Sequence, residues 1–440
     1  MLDIYVFDLD SSRAILPQIP SESLDTSTLR AICAATLEEK AVKFLVSAGE
    51  ASGDMYASGV MAHLSRRYPD AHFYGCAGPR LQAAGVKPVI DSASLAVVGL
   101  AEVVTHLPRI YGEFRKLVQY AKQHRPDAAL LTDNPDFHLR LARHLKHMDV
   151  PVFYLVAPQV WAWRQGRIKK IAKLVDKLYC LFPFEERWFR DRGVDATYIG
   201  HPLAHTVRTS VSREEFFERH GLPRDRQTIV LLPGSRAGEV RRHMPELIEA
   251  VLRLRKRFVL SVILATPKGF RTGAGFEKFR EPIAALSIKI VENETWDCIG
   301  HADAALAASG TVTIEAAVLG TPMVTFYKVM PLSWYAGRHL VKVPFLSMVN
   351  LVADRKIVPE LIQHDMTSEN IAEAAAALLD GGPQAGQMRK DLASVRALLT
   401  VEGDPFLRVA DSITENLRLP RTERTREHDI RETISNDAPF

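Results

Sequence analysis

The chain has 440 residues, 47% of them hydrophobic and 25% charged, with a formal charge of +4 at pH 7. That length exceeds what one hydrophobic core usually serves, so two domains of roughly 150 to 200 residues are expected, and the mild positive charge gives no argument for nucleic acid. No apolar run approaches the roughly 20 residues needed to cross a bilayer, which leaves peripheral membrane contact only, and Cys33, Cys76, Cys180 and Cys298 show neither a CxxC pair nor metal-finger spacing and read as reduced thiols.

Residues 1–40 read as an N-terminal extension. DIYVFDLD could form a short strand, but Pro17, Pro20 and the serines after it break any continuation. Asp3, Asp8 and Asp10 precede the first basic residue, which argues against a secretory signal and for a cytoplasmic location. From Ala41 the pattern becomes regular: an apolar strand, the Gly/Ser turn GEASGD (49–54), then an amphipathic helix that ends before Pro69. HFYGCAG is a second strand, followed by a short helix at Leu81 to Ala84. The stretch from Ser94 to His124 has helical spacing and reads as two helices broken near Pro108. Ala128 to Thr132 is a strand running into DNPDFH, VPVFYLVAP is another, and Lys177 to Leu181 and Thr197 to Gly200 complete the half at 41–210.

A charged connector at 211–226 precedes a second series at 225–400. TIVLLPGSR is a strand entering a turn, MPELIEAVLRLRKR a helix, FVLSVILAT and SIKIVEN strands. Leu306 to Ala308 close a buried strand, Ser309, Gly310 and Thr311 make a small polar turn, and Thr313 opens a helix toward the TPMVTFYK strand. A helical part from Ser368, a final helix within 401–418 and a polar tail at 419–440 end the chain. Strands alternating with helices predict α/β architecture with two doubly wound parallel sheets.

In such sheets ligands bind beyond the carboxyl ends of the strands, and the chemistry-bearing residues fall there. Gly49 to Asp54 lacks GxGxxG spacing, so it reads either as a ligand turn or as a helix cap. Asp133, at a strand end, is a candidate general base, with helix capping by Asp133 and Asp136 as the plain alternative; His138 reads as a structural partner. Trp161 and Trp163 with Arg164 make an aromatic loop suited to recognition or to packing at a domain seam. Behind it Arg167, Lys169, Lys170 and Lys173 form a basic face, solvated or meeting an anionic headgroup. In the second half, Arg236 after Gly234-Ser235 can bridge two phosphate oxygens. The Ser309-Gly310-Thr311 helix start offers open N–H groups to an anion, unless Ser309 or Thr311 merely caps it, and Glu315 suits ribose hydroxyls. Asn350 lies where the chain could face the cleft, and Glu360 reads as structural.

GEASGD (49–54), DNPDFHLRLA (133–142), PQVWAWR (158–164), LLPGSR with Glu239 behind it (231–236), ASGTVTIEAAVLGTPMV (308–324) and NLVADRKIVPEL (350–361) together resemble the lipid-A-disaccharide synthases over about residues 42–418. The resemblance implies a GT-B glycosyltransferase with two Rossmann-like domains facing across a cleft. It implies an inverting transfer in which the 6-hydroxyl of 2,3-diacylglucosamine 1-phosphate (lipid X) attacks UDP-2,3-diacylglucosamine, giving the β-1,6 disaccharide 1-phosphate of lipid A biosynthesis and UDP. Asp133, Arg236 and Asn350 then stand as the catalytic set: Asp133 as base or acceptor-orienting group, Arg236 on the diphosphate, Asn350 holding the donor. Glu50, Ser52, Trp161, Arg164, Ser235, Ser309, Gly310, Thr311 and Glu315 stand as substrate-binding residues. No DxD sits in either sheet half, which suits a transfer without metal or cofactor. The resemblance also implies a homodimer, with exchanged C-terminal segments as one arrangement, and peripheral association with the cytoplasmic face of the inner membrane. Leu95 to Tyr120 is the expected membrane contact, or else an ordinary core-facing helix pair. A UDP-sugar 2-epimerase and a nucleotide-binding regulator without activity are the competing readings.

Overall fold

The structure, a computed structural model, describes residues 41–95, 100–269, 277–330, 334 and 343–417, with 100–107 described by backbone only. The expected N-terminal extension, the polar tail, and the Leu95 to Tyr120 contact between 96 and 99 lie outside the described residues, as do the side chains of 100–107.

Short runs of Val, Leu, Ala and Phe that are apolar on both faces fit strands of a sheet covered on both sides. The first sheet holds β1 (Lys43–Ala48), β2 (His72–Ala77), β3 (Lys87–Asp91), β4 (Ala128–Thr132), β5 (Val152–Leu155), β6 (Lys177–Cys180) and β7 (Ala196–Tyr198), in spatial order β3-β2-β1-β4-β5-β6-β7. The second holds β8 (Gln227–Leu232), β9 (Leu260–Thr266), β10 (Lys289–Glu292), β11 (Ala304–Ala308), β12 (Met323–Tyr327) and β13 (Glu360–Ile362), in order β10-β9-β8-β11-β12-β13. Every described pairing is parallel; Phe44 pairs with Ala128 in the first sheet, and Ile229 with Ala304 in the second. All five residues of β4 and all five of β11 are buried. The strand order reverses between β1 and β4 and again between β8 and β11, which fixes one ligand crevice per sheet.

The helices that matter for the site are α1 (Ala51–Arg67), α2 (Pro79–Ala83), α3 (Leu100–Gln123), α4 (Pro135–Lys146), α5 (Ile168–Leu174), α6 (Pro183–Arg190), α7 (Ala237–Leu254), α8 (Thr311–Leu319), α9 (Met348–Ala353), α10 (Pro383–Leu399) and α11 (Pro405–Leu417). After α10 the chain returns to the first half, where α11 packs on α1. His63 meets Asp404 at 2.8 Å, Arg67 pairs with Asp411, and Phe406 lies over Gly59. The final helix therefore belongs to the layer covering the first sheet.

The expected break at Pro108 is corrected: α3 runs through it as one helix. The proline removes one helical hydrogen bond, and the buried Leu117, Val118 and Ala121 hold the rest of the helix against β3. Likewise α7 begins at Ala237, well before Met244, because Glu239 receives the Arg236 N–H at 3.3 Å and starts the helix there. Two strands went unread: β3 carries Pro88, which an edge strand tolerates, and β13 is too short to show alternation.

Candidate active site

β4 ends at Thr132, and the next two residues, Asp133 and Asn134, take positive φ (53° and 28°) to turn the chain into α4. Non-glycine residues persist in such backbone only where the surroundings over-determine it. The Asp133 carbonyl accepts from His138 Nδ1 at 3.0 Å and from the Tyr154 hydroxyl. A carbonyl only accepts, so Nδ1 carries the proton and Nε2 accepts from the Ser47 hydroxyl at 2.8 Å. Burial pushes the His138 imidazole down to about 4, which keeps it neutral in this role.

With its backbone fixed, the Asp133 carboxylate reaches the end of β1 and accepts the N–H groups of Gly49 at 2.8 Å and Glu50 at 3.0 Å. Gly53 makes room for it: a Cβ there would stand 1.7 Å from Asp133 Oδ2. Burial pushes this carboxyl up to about 7, against the pull of the two N–H groups. A carboxyl titrating near the operating pH, at the switch point of a parallel sheet, has the property wanted in a general base. Asp54 does different work, accepting the N–H groups of Gly78 at 2.8 Å and Arg80 at 2.9 Å at the start of α2.

In the second sheet β8 runs into Pro233-Gly234-Ser235-Arg236. Gly234 has φ 110°, and a Cβ on it would lie 2.5 Å from Glu239 Oε2, so only glycine fits the turn. His243 pins the turn from behind, its Nδ1–H donating to Pro233 O at 2.7 Å while Nε2 accepts the Lys328 N–H at 3.1 Å. The rigid base leaves Arg236 projecting: its side chain is 71% exposed, with a loose 3.6 Å approach to Glu239. Ser235 is exposed beside it. At the end of β11 the Ser309 hydroxyl donates to Leu346 O at 3.2 Å, and α8 starts without any side-chain cap, so neither Ser309 nor Thr311 serves as one. Among the described residues nothing stands within 4 Å of the place a Cβ would take on Gly310. An uncapped helix start with open space before it is a natural seat for an anion. Glu315, one turn in, is pushed up by burial and pulled down by a hydrogen bond with the Trp296 side chain.

A cavity of about 1680 Å³ lies against the first crevice, with Glu50, Ser52 and Asn134 in its wall, and Arg236 joins them from the second half. Asp133 is just behind Gly49 and Glu50, its side chain 10% exposed. The Ser309 to Glu315 stretch does not line this cavity. Arg236 is thus brought together with the GEASGD and DNPDF turns, while the α8 start stands apart.

Three expected site residues sit elsewhere. Trp161 is buried, donates its indole N–H to Glu185 Oε1 at 3.0 Å and packs edge-on against Phe184; it builds the loop and leaves Trp163, 41% exposed, to face outward. Arg164 lies over the Trp163 ring at 4.4 Å and approaches Asp136 at 3.4 Å, outside the cavity wall. Asn350 is fully buried and its amide is spent on the chain itself: Oδ1 accepts from Ile357 and Val358 at 2.8 and 3.0 Å, and Nδ2 donates to Val358 O and Glu360 Oε1 at 3.0 and 2.8 Å. Glu360 in turn accepts the N–H groups of Leu346 and Ser347, so Asn350 braces the loop that Ser309 touches and does not itself reach the cleft. Arg140 and Arg143 of α4, by contrast, went unnoticed as cavity residues; their i, i+3 spacing on the helix opened by DNPDF was the available signal.

A sequence model of a family described as lipid-A-disaccharide synthetase matches residues 44–402. The chain is similar to the lipid-A-disaccharide synthase of Solibacter usitatus, 57% identical over 357 residues that cover 81% of this chain and 93% of that relative. It is 40% identical over 376 residues to the enzyme of the same name from Myxococcus xanthus, covering 85% of this chain and 97% of that one. Among solved structures it is similar to S. aureus MnaA bound to UDP, with TM-score 0.58, 15% identity, and coverage of 86% of this chain and 98% of that chain. It is also similar to the UDP-GlcNAc 2-epimerase of Neisseria meningitidis, with TM-score 0.54, 12% identity, and coverage of 86% and 99%. At such low identity these structural likenesses establish the GT-B fold and leave the activity to the sequence relatives.

Proposed function

Since the chain belongs to the lipid-A-disaccharide synthase family, glycosyltransferases of lipid A biosynthesis, we propose that it joins UDP-2,3-diacylglucosamine to 2,3-diacylglucosamine 1-phosphate, with the acceptor in the large cavity and UDP at the second crevice. The observation that carries this arrangement is the presence of Arg236 in the same cavity wall as the turns that hold Asp133. Asp133 takes the proton of the acceptor 6-hydroxyl as that oxygen attacks the anomeric carbon from the side opposite UDP, so the configuration inverts and a β-1,6 bond forms. Negative charge then develops on the departing diphosphate. Arg236 supplies a charge-assisted, two-pronged contact to it, and the uncapped start of α8 supplies N–H groups and the positive end of its dipole.

Acyl-chain substrates also require access to a membrane surface. Among the described residues no helix is long and apolar enough to cross one. Tyr111, 60% exposed on α3 and in the cavity wall, supports peripheral contact on that side, and association into a homodimer remains part of this reading, to be tested by sedimentation velocity. The primary test is UDP release from UDP-2,3-diacylglucosamine in detergent, with and without the acceptor. Release that depends on acceptor and is lost in Asp133→Ala and Arg236→Ala supports the assignment; folded wild-type protein that releases no UDP with acceptor overturns it.

A further inference from the structure

The large cavity has an uneven charge balance. Its carboxylates are mostly engaged: Asp54 holds the start of α2, Asp91 accepts the Ala93 N–H at 2.8 Å, and Asp136 pairs with Arg167 and Arg164. Arg236 has Glu239 beside it. Four cations in the wall, Arg80 of α2, Arg140 and Arg143 of α4 and Lys170 of α5, have no ion pair or side-chain hydrogen bond among the described residues. His144, also in the wall, has its imidazole pushed down by burial first, with smaller contributions from Lys122, His147 and Arg143. Between these cations stand Ile110, Phe114, Leu139 and Leu174. All four are solvent-exposed and so already free to meet a ligand, and cations set beside apolar side chains in one wall suit a ligand that brings both negative charge and acyl chain.

Resting on the proposed acceptor site, we infer that Arg140 and Arg143, one helical turn apart on α4, grip the 1-phosphate of the acceptor, with Lys170 and Arg80 completing the charge, while the apolar wall takes acyl chain. Two guanidinium forks on one helix face match the oxygens of a phosphate monoester, and neither must first leave a carboxylate. This makes α4 a ruler: its first turn is set by Asp133, where the hydroxyl reacts, and its middle holds the phosphate at the other end of the same sugar. The enzyme would thereby discriminate the phosphorylated acceptor from the donor's own sugar lipid.

The test compares two acceptors, 2,3-diacylglucosamine 1-phosphate and the same lipid without phosphate, in wild type, Arg140→Ala, Arg143→Ala and the double variant, with UDP release as readout. The expected result is a wild-type preference for the phosphorylated acceptor that falls by about tenfold to a hundredfold per guanidinium removed, carried by acceptor KM, with Arg→Lys at either position recovering part of it. Acceptor KM in wild type should also fall as pH rises through about 6, where the phosphate takes its second charge, and this dependence should flatten in the double variant. Equal loss on both acceptors, a rise in donor KM instead, or a wild type without preference would each overturn the phosphate assignment. Absence of acceptor-dependent UDP release from wild type with either lipid sinks the proposed function itself, so the two failures are distinguishable.

Discussion

The two crevices are built on the same strand plan and finished in opposite ways. In the first, Asp133 and the groups behind it are bonded within the protein: Asp133 to Gly49 and Glu50, its carbonyl to His138 and Tyr154, His138 onward to Ser47. In the second, only the base of the turn is fixed, by His243 and Glu239, while Arg236 projects into solvent and α8 starts uncapped. The difference suits the roles proposed for the two halves. A proton acceptor needs a fixed position and a tuned pKa, which demands burial and preset hydrogen bonds. A diphosphate brings its own acceptors, so the groups that meet it are best left unsatisfied until it arrives.

The contrast is broken most severely at Asp133. Asp133→Ala should lower kcat by about 10² to 10⁴-fold, the span for loss of a general base. In wild type kcat/KM should rise with pH through about 7, the value to which burial lifts this carboxyl. Residual activity of Asp133→Asn should lack that limb; if the limb persists unchanged, another group is the base. Asn350→Ala is the next largest effect and falls on stability. It orphans the Ile357 and Val358 N–H groups and a Val358 carbonyl inside the core and should cost about 3 kcal/mol in chemical denaturation. A variant as stable as wild type with impaired catalysis would return Asn350 to the cleft.

Arg236→Ala should do the reverse, because the side chain is exposed: unchanged stability, and donor kcat/KM lower by about tenfold to a hundredfold, as for loss of charge-assisted bonds. Arg236→Lys should recover only part, since an ammonium cannot bridge two oxygens. Equal loss of acceptor and donor affinity would show that the two halves are not specialised as described.

What sequence could foretell divides along the same line. Strand ends and the turns after them were legible, because apolar runs stop abruptly at Gly49, Asp133, Gly234 and Ser309 and parallel order then places all four turns at switch points. Side-chain direction was not legible. Trp161 and Trp163 are two residues apart with identical chemistry, yet one is buried against Glu185 and the other is exposed, a choice made by a partner 24 residues along the chain. Asn350 looked like a cleft residue because its partners are backbone groups of residues 357 and 358, which carry no mark in a sequence. Arg140 and Arg143 escaped for a similar reason: that Arg140 lacks a carboxylate is a fact of tertiary placement, even though Asp136 is one turn away.

The smallest effect tests whether the first half is balanced as well as fixed. Burial pushes the carboxyls of Asp133 and Glu185 up to about 7, so each adds stability at low pH that is lost as pH rises from the ordinary carboxylate range through about 7. Burial pushes the imidazoles of His138 and His201 down to about 4 and about 3, so each adds stability near neutrality that is lost as pH falls below about 6.5, where the unfolded chain takes the proton first. Between pH 6 and pH 5 the two pairs oppose one another. The contributions of these four groups to the pH dependence should nearly cancel there in wild type. Glu185→Gln keeps an acceptor for the Trp161 indole and removes one of the opposing carboxyls, so the unfolding free energy from denaturant titrations should fall with acid, relative to wild type, by about 1.4 kcal/mol per pH unit. A variant whose stability stays parallel to wild type across that interval would mean that Glu185 does not titrate there and that the balance lies in other groups.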